Sequence, residues 1–251
     1  MQAFNKIIIV GDSFCASRDK IGDWPVKLTD LLHCELWGYG HSGTSWWASK
    51  KALLNEPAHN KSTTIRIIVH TEPARLPNEH EYPINTGLLF APCTDVKLDD
   101  QNKLIKTAIE FYKSELYSEN FYLWAQQAWI KELDEDTEYY ATIHIPAFDT
   151  VDLTCVKHGI FIIPGAGLRS LRALSDCEIG QSNWIGHDTR SNHLGEKNNI
   201  NLAKALASII LKLQPGDTGE KNFDNLHEWS FDNRTHYTKT VESLDFQNLK
   251  Y

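Results

Sequence analysis

Residues 5–13 read Asn5-Lys6-Ile7-Ile8-Ile9-Val10-Gly11-Asp12-Ser13, and this stretch decides the fold. Four successive β-branched residues without polar alternation describe a strand buried on both faces, as inside a parallel sheet, and Gly11 ends it. Working outward, Trp24 to Leu32 places Val26, Leu28, Leu31 and Leu32 on one helical stripe behind the start signals Asp23 and Pro25. Cys34 to Trp37 is a second strand, Gly38 to Ser45 a glycine-rich turn, and Trp46 to Leu54 a helix capped by Thr44 or Ser45. Thr64 to Val69 repeats the buried-strand pattern. Strands alternating with helices imply an α/β fold with a mainly parallel sheet wrapped by helices.

Further along, 75–100 is rich in proline, polar residues and turn formers, and reads as a surface excursion of the kind that shapes binding clefts. Asp100 to Leu133 reads as helix, interrupted at Ser118 to Asn120. Tyr139 to Ile145 and Gly159 to Ile163 are further strands, and Asn199 to Leu213 is an amphipathic helix stopped by Pro215 and Gly216. The expected division is therefore one α/β domain over 1–216 and a polar C-terminal extension over 217–251.

The chain of 251 residues carries 33 acidic and 25 basic side chains, a formal net charge of −8. That balance argues against a nucleic-acid partner, whose phosphate backbone selects basic surfaces. The longest apolar runs, Ile7 to Val10 and Gly159 to Ile163, fall far short of the roughly 20 residues of a membrane-spanning helix, so no membrane partner is expected. Met1 to Lys6 lacks the pattern of a secretory signal, and a soluble cytoplasmic protein is the expectation. Five cysteines, odd in number and without a CxxC pair, read as free thiols rather than as disulfides or a zinc site. His33, His41, His70 and His80 show no metal-ligand spacing, and no metal site is suggested.

The chemistry centres on Gly11-Asp12-Ser13. Open α/β sheets gather ligands at the C-terminal ends of their strands, and a serine on the first strand-to-helix turn presents its hydroxyl there. The plainer reading is a tight turn in which Asp12 or Ser13 bonds nearby amides. A serine nucleophile needs a proton acceptor. Among 11 histidines, His193 lies on the loop before the last helix, where a parallel fold can return it to the same edge; His41 and His187 are the alternatives. Gly38 to Thr44 follows the second strand and offers backbone amides for an oxyanion, although its glycines also suit an ordinary turn. Trp46-Trp47 either walls a sugar-stacking cleft or fills core. Gly165 and Gly167 with Arg169 and Arg172 form either an anion site or a surface feature.

Taken together, Gly11-Asp12-Ser13, Gly40-His41-Ser42-Gly43 and His193 resemble, in order, the blocks of the SGNH/GDSL hydrolase superfamily. The resemblance implies a flavodoxin-like three-layer αβα sandwich and an esterase without cofactor. It makes Ser13 the nucleophile, His193 the base, and the Ser13 and Gly40 amides oxyanion donors, with Asp12 beside them in the site. Two blocks depart from the pattern. Where the family places an oxyanion asparagine, this chain reads His70-Thr71-Glu72-Pro73-Ala74-Arg75; Glu72 is expected to pair with Arg75, leaving Thr71 or Arg75 to donate. Where an aspartate stands three residues before the histidine, this chain has Arg190; Asp188 is the candidate carboxylate to orient His193, and a backbone carbonyl in a Ser-His dyad is the alternative. The expected substrate is a small-molecule or carbohydrate ester, such as a sugar O-acetyl group. The rival readings are a non-catalytic binding or structural protein on the same fold, and an acyltransferase using the same acyl-enzyme.

Overall fold

The computed structural model describes residues 4–16, 23–38, 40–41, 44–56, 60–73, 75, 107–108, 110–116, 118–136, 141–163, 169–179, 194–213 and 219–222. In chain order its strands are β1 (Lys6–Val10), β2 (Glu35–Trp37), β3 (Thr64–His70), β4 (Ala141–Pro146), β5 (Ile160–Ile163) and β6 (Gly219–Asn222). Its α-helices are α1 (Trp24–Leu32), α2 (Trp46–Leu54), α3 (Glu119–Glu135), α4 (Leu171–Ile179) and α5 (Glu196–Lys212). The strands form one six-stranded sheet in the order β2-β1-β3-β4-β5-β6. Every pairing is parallel.

This is an α/β three-layer sandwich of flavodoxin-like strand order, as the alternation of strand and helix patterns implies. Ile7 and Ile9 of β1, Ile65, Ile67 and Val69 of β3, and Ile143 and Ile145 of β4 face a core closed by Trp24 and Leu28 of α1 and Leu202 and Leu206 of α5. On the opposite face, Val10 and Ile68 meet Trp46 of α2 and Trp129 and Leu133 of α3. Isoleucine is needed at successive positions because both faces of the sheet are covered, and each such side chain contributes about 1.5–3 kcal/mol when removed from water.

Several boundaries differ from the sequence pattern. The interruption expected at Ser118 is the N-cap of α3, where the Ser118 hydroxyl accepts from the Phe121 amide at 3.3 Å; a π-helical turn, Tyr112–Leu116, precedes it. Helix α4 is not among the expected elements, although Ser170, whose hydroxyl accepts from the Ala173 amide at 3.1 Å, and the apolar stripe of Leu171 and Leu174, both buried, were available signals. Strand β6 lies inside the stretch assigned to the polar extension, so the start of that extension belongs to the sheet. Its Gly-Glu-Lys-Asn sequence has no strand signature, because an edge strand can be held by backbone bonds to β5 alone. Among the described residues, no helix is long and apolar enough to cross a membrane.

The face under α2 and α3 holds a buried histidine pair. His70 at the end of β3 and His144 on β4 lie nearly coplanar, at 4°, and share a hydrogen between Nε2 of His70 and Nδ1 of His144 at 2.9 Å. Burial keeps both neutral: it holds His70 well below its usual range, and the adjoining His144 ring further disfavours a charge there. For His144 the pKa falls to about 4, with Asp134 opposing the shift and Arg66 adding to it. Such a lowered pKa leaves stability intact above about pH 6.5 and removes it as pH falls, because the unfolded chain binds the protons first.

A His70→Leu/His144→Leu variant tests this through urea denaturation followed from pH 7.5 to 4.5. The wild type is expected to lose on the order of 3 kcal/mol more than the variant across that window, and parallel curves would refute the assignment.

Candidate active site at the β1–β3 switch point

The strand order reverses direction between β1 and β3, and the crevice outside their C-terminal ends is where open α/β sheets bind ligands. The three segments that bear candidate residues, after β1, β2 and β3, all leave strands at this edge. After β1 the chain makes a single 3₁₀ turn, Ser13–Cys15, capped by Asp12, whose Oδ1 accepts the Phe14 amide at 3.0 Å. The Cys15 amide closes the turn on the Asp12 carbonyl at 3.1 Å. Ser13 is 7% exposed, and its Oγ has no hydrogen-bond partner among the described residues.

Asp12 is fully buried and is the centre of the arrangement. Its Oδ2 accepts from the Thr71 hydroxyl at 2.9 Å and pairs with Nη1 of Arg75 at 3.2 Å. Burial pushes the Asp12 carboxyl above its usual range, while Arg75, the Phe14 amide and the Thr71 hydroxyl pull it back. Arg75 is itself buried, with Nη1 also donating to the Thr44 carbonyl at 3.3 Å and Nε facing Glu72 at 3.4 Å. The guanidinium carbon lies 4.8 Å from the centroid of the Phe148 ring, which meets Phe14 edge-on at 5.7 Å. The expected Glu72–Arg75 pair is therefore present, but the stronger, drier partner of Arg75 is Asp12.

The second expected donor loop is drawn in tightly. The Gly40 amide donates to the Cys15 carbonyl at 3.0 Å and the His41 amide to the Gly11 carbonyl at 3.2 Å, while the Thr44 hydroxyl bonds the His41 carbonyl at 2.9 Å. A side chain at Gly40 would overlap the Asp12 carbonyl and the Cys15 sulfur, so only glycine permits this approach. The same closeness corrects the role expected of Gly40: its N–H is spent on Cys15 and is not available to an oxyanion in this arrangement. Thr71 is corrected likewise, since its single hydroxyl hydrogen is committed to Asp12. The Cys15 thiol is pushed well above its usual range by burial and by the neighbouring Asp12, which keeps it inert.

Of the seven residues singled out in the sequence, Asp12, Ser13, Gly40, Thr71 and Arg75 converge here. His193 and Asp188 lie outside the described residues, as does His187, and His41 is exposed. Topology bears on the region of His193, because α5 begins two residues after Leu194, which is buried in the same core cluster as Phe14. The Gly165–Gly167 turn lies outside the described residues, and among those described no cluster of His, Cys, Asp and Glu could hold a metal ion. Trp46 is core, stacked on Trp129 at 5.8 Å, whereas Trp47 is half exposed.

Sequence reading missed two members of the site. Gln126 of α3, fully buried, donates from Nε2 to the Thr71 carbonyl at 2.7 Å. A polar residue on the same helical stripe as Trp129, Ile130 and Leu133 was the available signal. Phe148 supplies the floor under Arg75, and its position just beyond β4, at the sheet's C-terminal edge, was the other. No family model, curated protein or solved structure matches the chain.

Two substitutions test the geometry. Arg75→Met leaves the Asp12 carboxylate buried without its cation and is expected to cost about 3–5 kcal/mol in urea denaturation, much of it recovered by adding Asp12→Asn. Gly40→Ala is expected to cost about 1–3 kcal/mol through overpacking, and a stability equal to wild type would show that the two turns are not in contact.

Proposed function

We propose that the chain is a serine hydrolase of SGNH/GDSL type that cleaves an ester through an acyl-enzyme on Ser13. The observation that carries this reading is the Ser13 hydroxyl itself: buried, without a partner among the described residues, and fixed on a one-turn helix at the switch point. Buried hydroxyls are ordinarily satisfied, and exceptions gather where a group is kept free for chemistry. In the proposed cycle His193, oriented by Asp188, takes the Ser13 proton as Oγ attacks the substrate carbonyl. Collapse of the tetrahedral adduct expels the alcohol, which takes that proton back. Water then adds to the acyl-enzyme by the same route and releases the acid.

The adduct's negative charge falls to the Ser13 amide, the first N–H of its turn and so without an intrahelical acceptor, and to the guanidinium of Arg75. Short acyl groups on a carbohydrate or other small alcohol are the proposed substrates, with the half-exposed Trp47 as a stacking surface. The free thiols of Cys15, Cys34 and Cys155 suit a reducing, cytoplasmic setting.

One observation favours the second reading, a non-catalytic binding protein. The Gly40 amide and the Thr71 hydroxyl, both expected as oxyanion donors, are consumed within the fold. Loss of a single such donor costs roughly 10²–10³ in turnover.

A fluorophosphonate probe separates the two. Labelling of the wild type that is abolished in Ser13→Ala, with hydrolysis of p-nitrophenyl acetate reduced by at least about 10³-fold, is the expected result. Folded wild type that takes up no probe would leave the binding reading. Transfer to an added sugar acceptor, read as a new ester among the products, would mark a transferase.

A further inference from the structure

Around the serine turn, one chain of hydrogen bonds runs to the last helix and is used by nothing described above. The carbonyl of Phe14, the residue after Ser13, accepts from the indole Nε1 of Trp24 at 2.6 Å. Trp24 is fully buried and opens α1, and its own backbone amide donates to Oδ1 of Asn199 at 3.2 Å. Asn199 lies in the first turns of α5. Its Nδ2 donates to the carbonyls of Leu194 at 2.9 Å and Gly195 at 3.1 Å, the residues that lead into that helix.

A single side-chain amide thus does two things at once. Through its oxygen it caps α1 with an acceptor that Asp23 does not supply, since the Asp23 side chain makes no capping bond. Through its nitrogen it fixes the chain just ahead of α5. The two ends are far apart in sequence and are brought together at this residue and by the packing of α1 on α5. The chain ahead of α5 is thus linked to the serine turn through three hydrogen bonds, Leu194 or Gly195 to Asn199, Asn199 to Trp24 and Trp24 to Phe14, and one buried indole. An asparagine suits this role because it offers an acceptor and donors on one short, stiff group.

We propose that Asn199 is a positioning residue that holds the start of the last helix in register with the Ser13 turn, acting through Trp24. The inference rests on the serine-hydrolase reading, because Ser13 reactivity is the property it protects. Positional errors of about 1 Å at reacting groups cost up to 10²-fold in rate, so the link is worth most when it is stiff.

Asn199→Asp separates the two halves of the function. It keeps an acceptor for the Trp24 amide, and places a negative charge by two helix N-termini, where the helix dipoles favour it. It removes the donors to Leu194 and Gly195. Asn199 is only half buried, so the variant is expected to fold. Trp24→Phe removes the indole donor to Phe14 while retaining an aromatic ring. The readouts are the urea midpoint and the rate of fluorophosphonate labelling of Ser13 between pH 5 and 9.

Asn199→Asp is expected to keep a midpoint close to wild type and to label about tenfold more slowly, with a displaced pH midpoint of the labelling rate. Trp24→Phe is expected to slow labelling similarly per folded molecule. A merely structural role would lower the midpoint and leave the rate and its pH profile unchanged in the folded fraction, and that result overturns the inference while sparing the hydrolase reading. Wild type that is folded but unlabelled overturns both.

Discussion

The ion pair between Asp12 and Arg75 is the contact on which the geometry of the candidate site depends. Two charges taken out of water cost several kcal/mol each, and their attraction offsets that only when the remaining donors and acceptors are also matched. Here they are. Asp12 takes the Phe14 amide on one oxygen and Thr71 with Arg75 on the other, while Arg75 finishes on the Thr44 carbonyl, Glu72 and the face of Phe148. The pair therefore joins the turn after β1 to the turn after β3 across the switch point. It also reaches the start of α2 through Thr44 and the end of β4 through Phe148. Breaking it would leave the Asp12 carboxylate buried without its cation beside the serine turn.

That rigidity has a chemical cost at the neighbouring donors. The loop after β2 comes close enough for Gly40 to satisfy the Cys15 carbonyl, and the small Cys15 side chain fits beneath it. Each bond that stiffens the serine turn withdraws one hydrogen from the set that could meet a developing negative charge. A turn held by Asp12, Gly40 and Thr71 together is well ordered but leaves the Ser13 hydroxyl with few donors around it. The geometry is thus strong on placement of the Ser13 hydroxyl and sparing in donors that could meet a negative charge beside it, and Arg75 is the group in which the two demands meet.

How much of this was legible in the sequence follows from the range of each interaction. The layer architecture was readable, because a both-face-buried strand such as Ile7 to Val10 leaves a local signature, and so did the helix start at Asp23 and Pro25. The convergence of Asp12, Ser13, Gly40, Thr71 and Arg75 was readable from topology, since all of them follow strands that end at one edge. The direction in which the Gly40 amide points was not, because it depends on a backbone approach to Asp12 that no local pattern records. Strand β6 was hidden because Gly219 to Asn222 relies on backbone pairing, and α4 because it spans only nine residues behind a glycine-rich stretch that reads as a turn. Asn199 was taken as the start of an amphipathic helix; its second role appears only when Trp24 is brought beside it.

The two faces of the sheet divide the remaining work unequally. Under α1 and α5 the strand residues that face the core, Ile7, Ile9, Ile65, Ile67, Val69, Ile143 and Ile145, carry no titratable group and pack in one cluster with Phe14 and Trp24. Under α2 and α3 the sheet carries Arg66, Thr142 and the His70–His144 pair among its buried residues. His70 and Thr71 are consecutive, so the strand end that carries the neutral imidazole on one side carries the Asp12 ligand on the other. Gln126 holds the Thr71 carbonyl from α3, and Trp129 of the same helix packs edge-on against His70 at 5.6 Å. Charging the pair would therefore loosen α3 from the strand end it helps to hold, next to the candidate site.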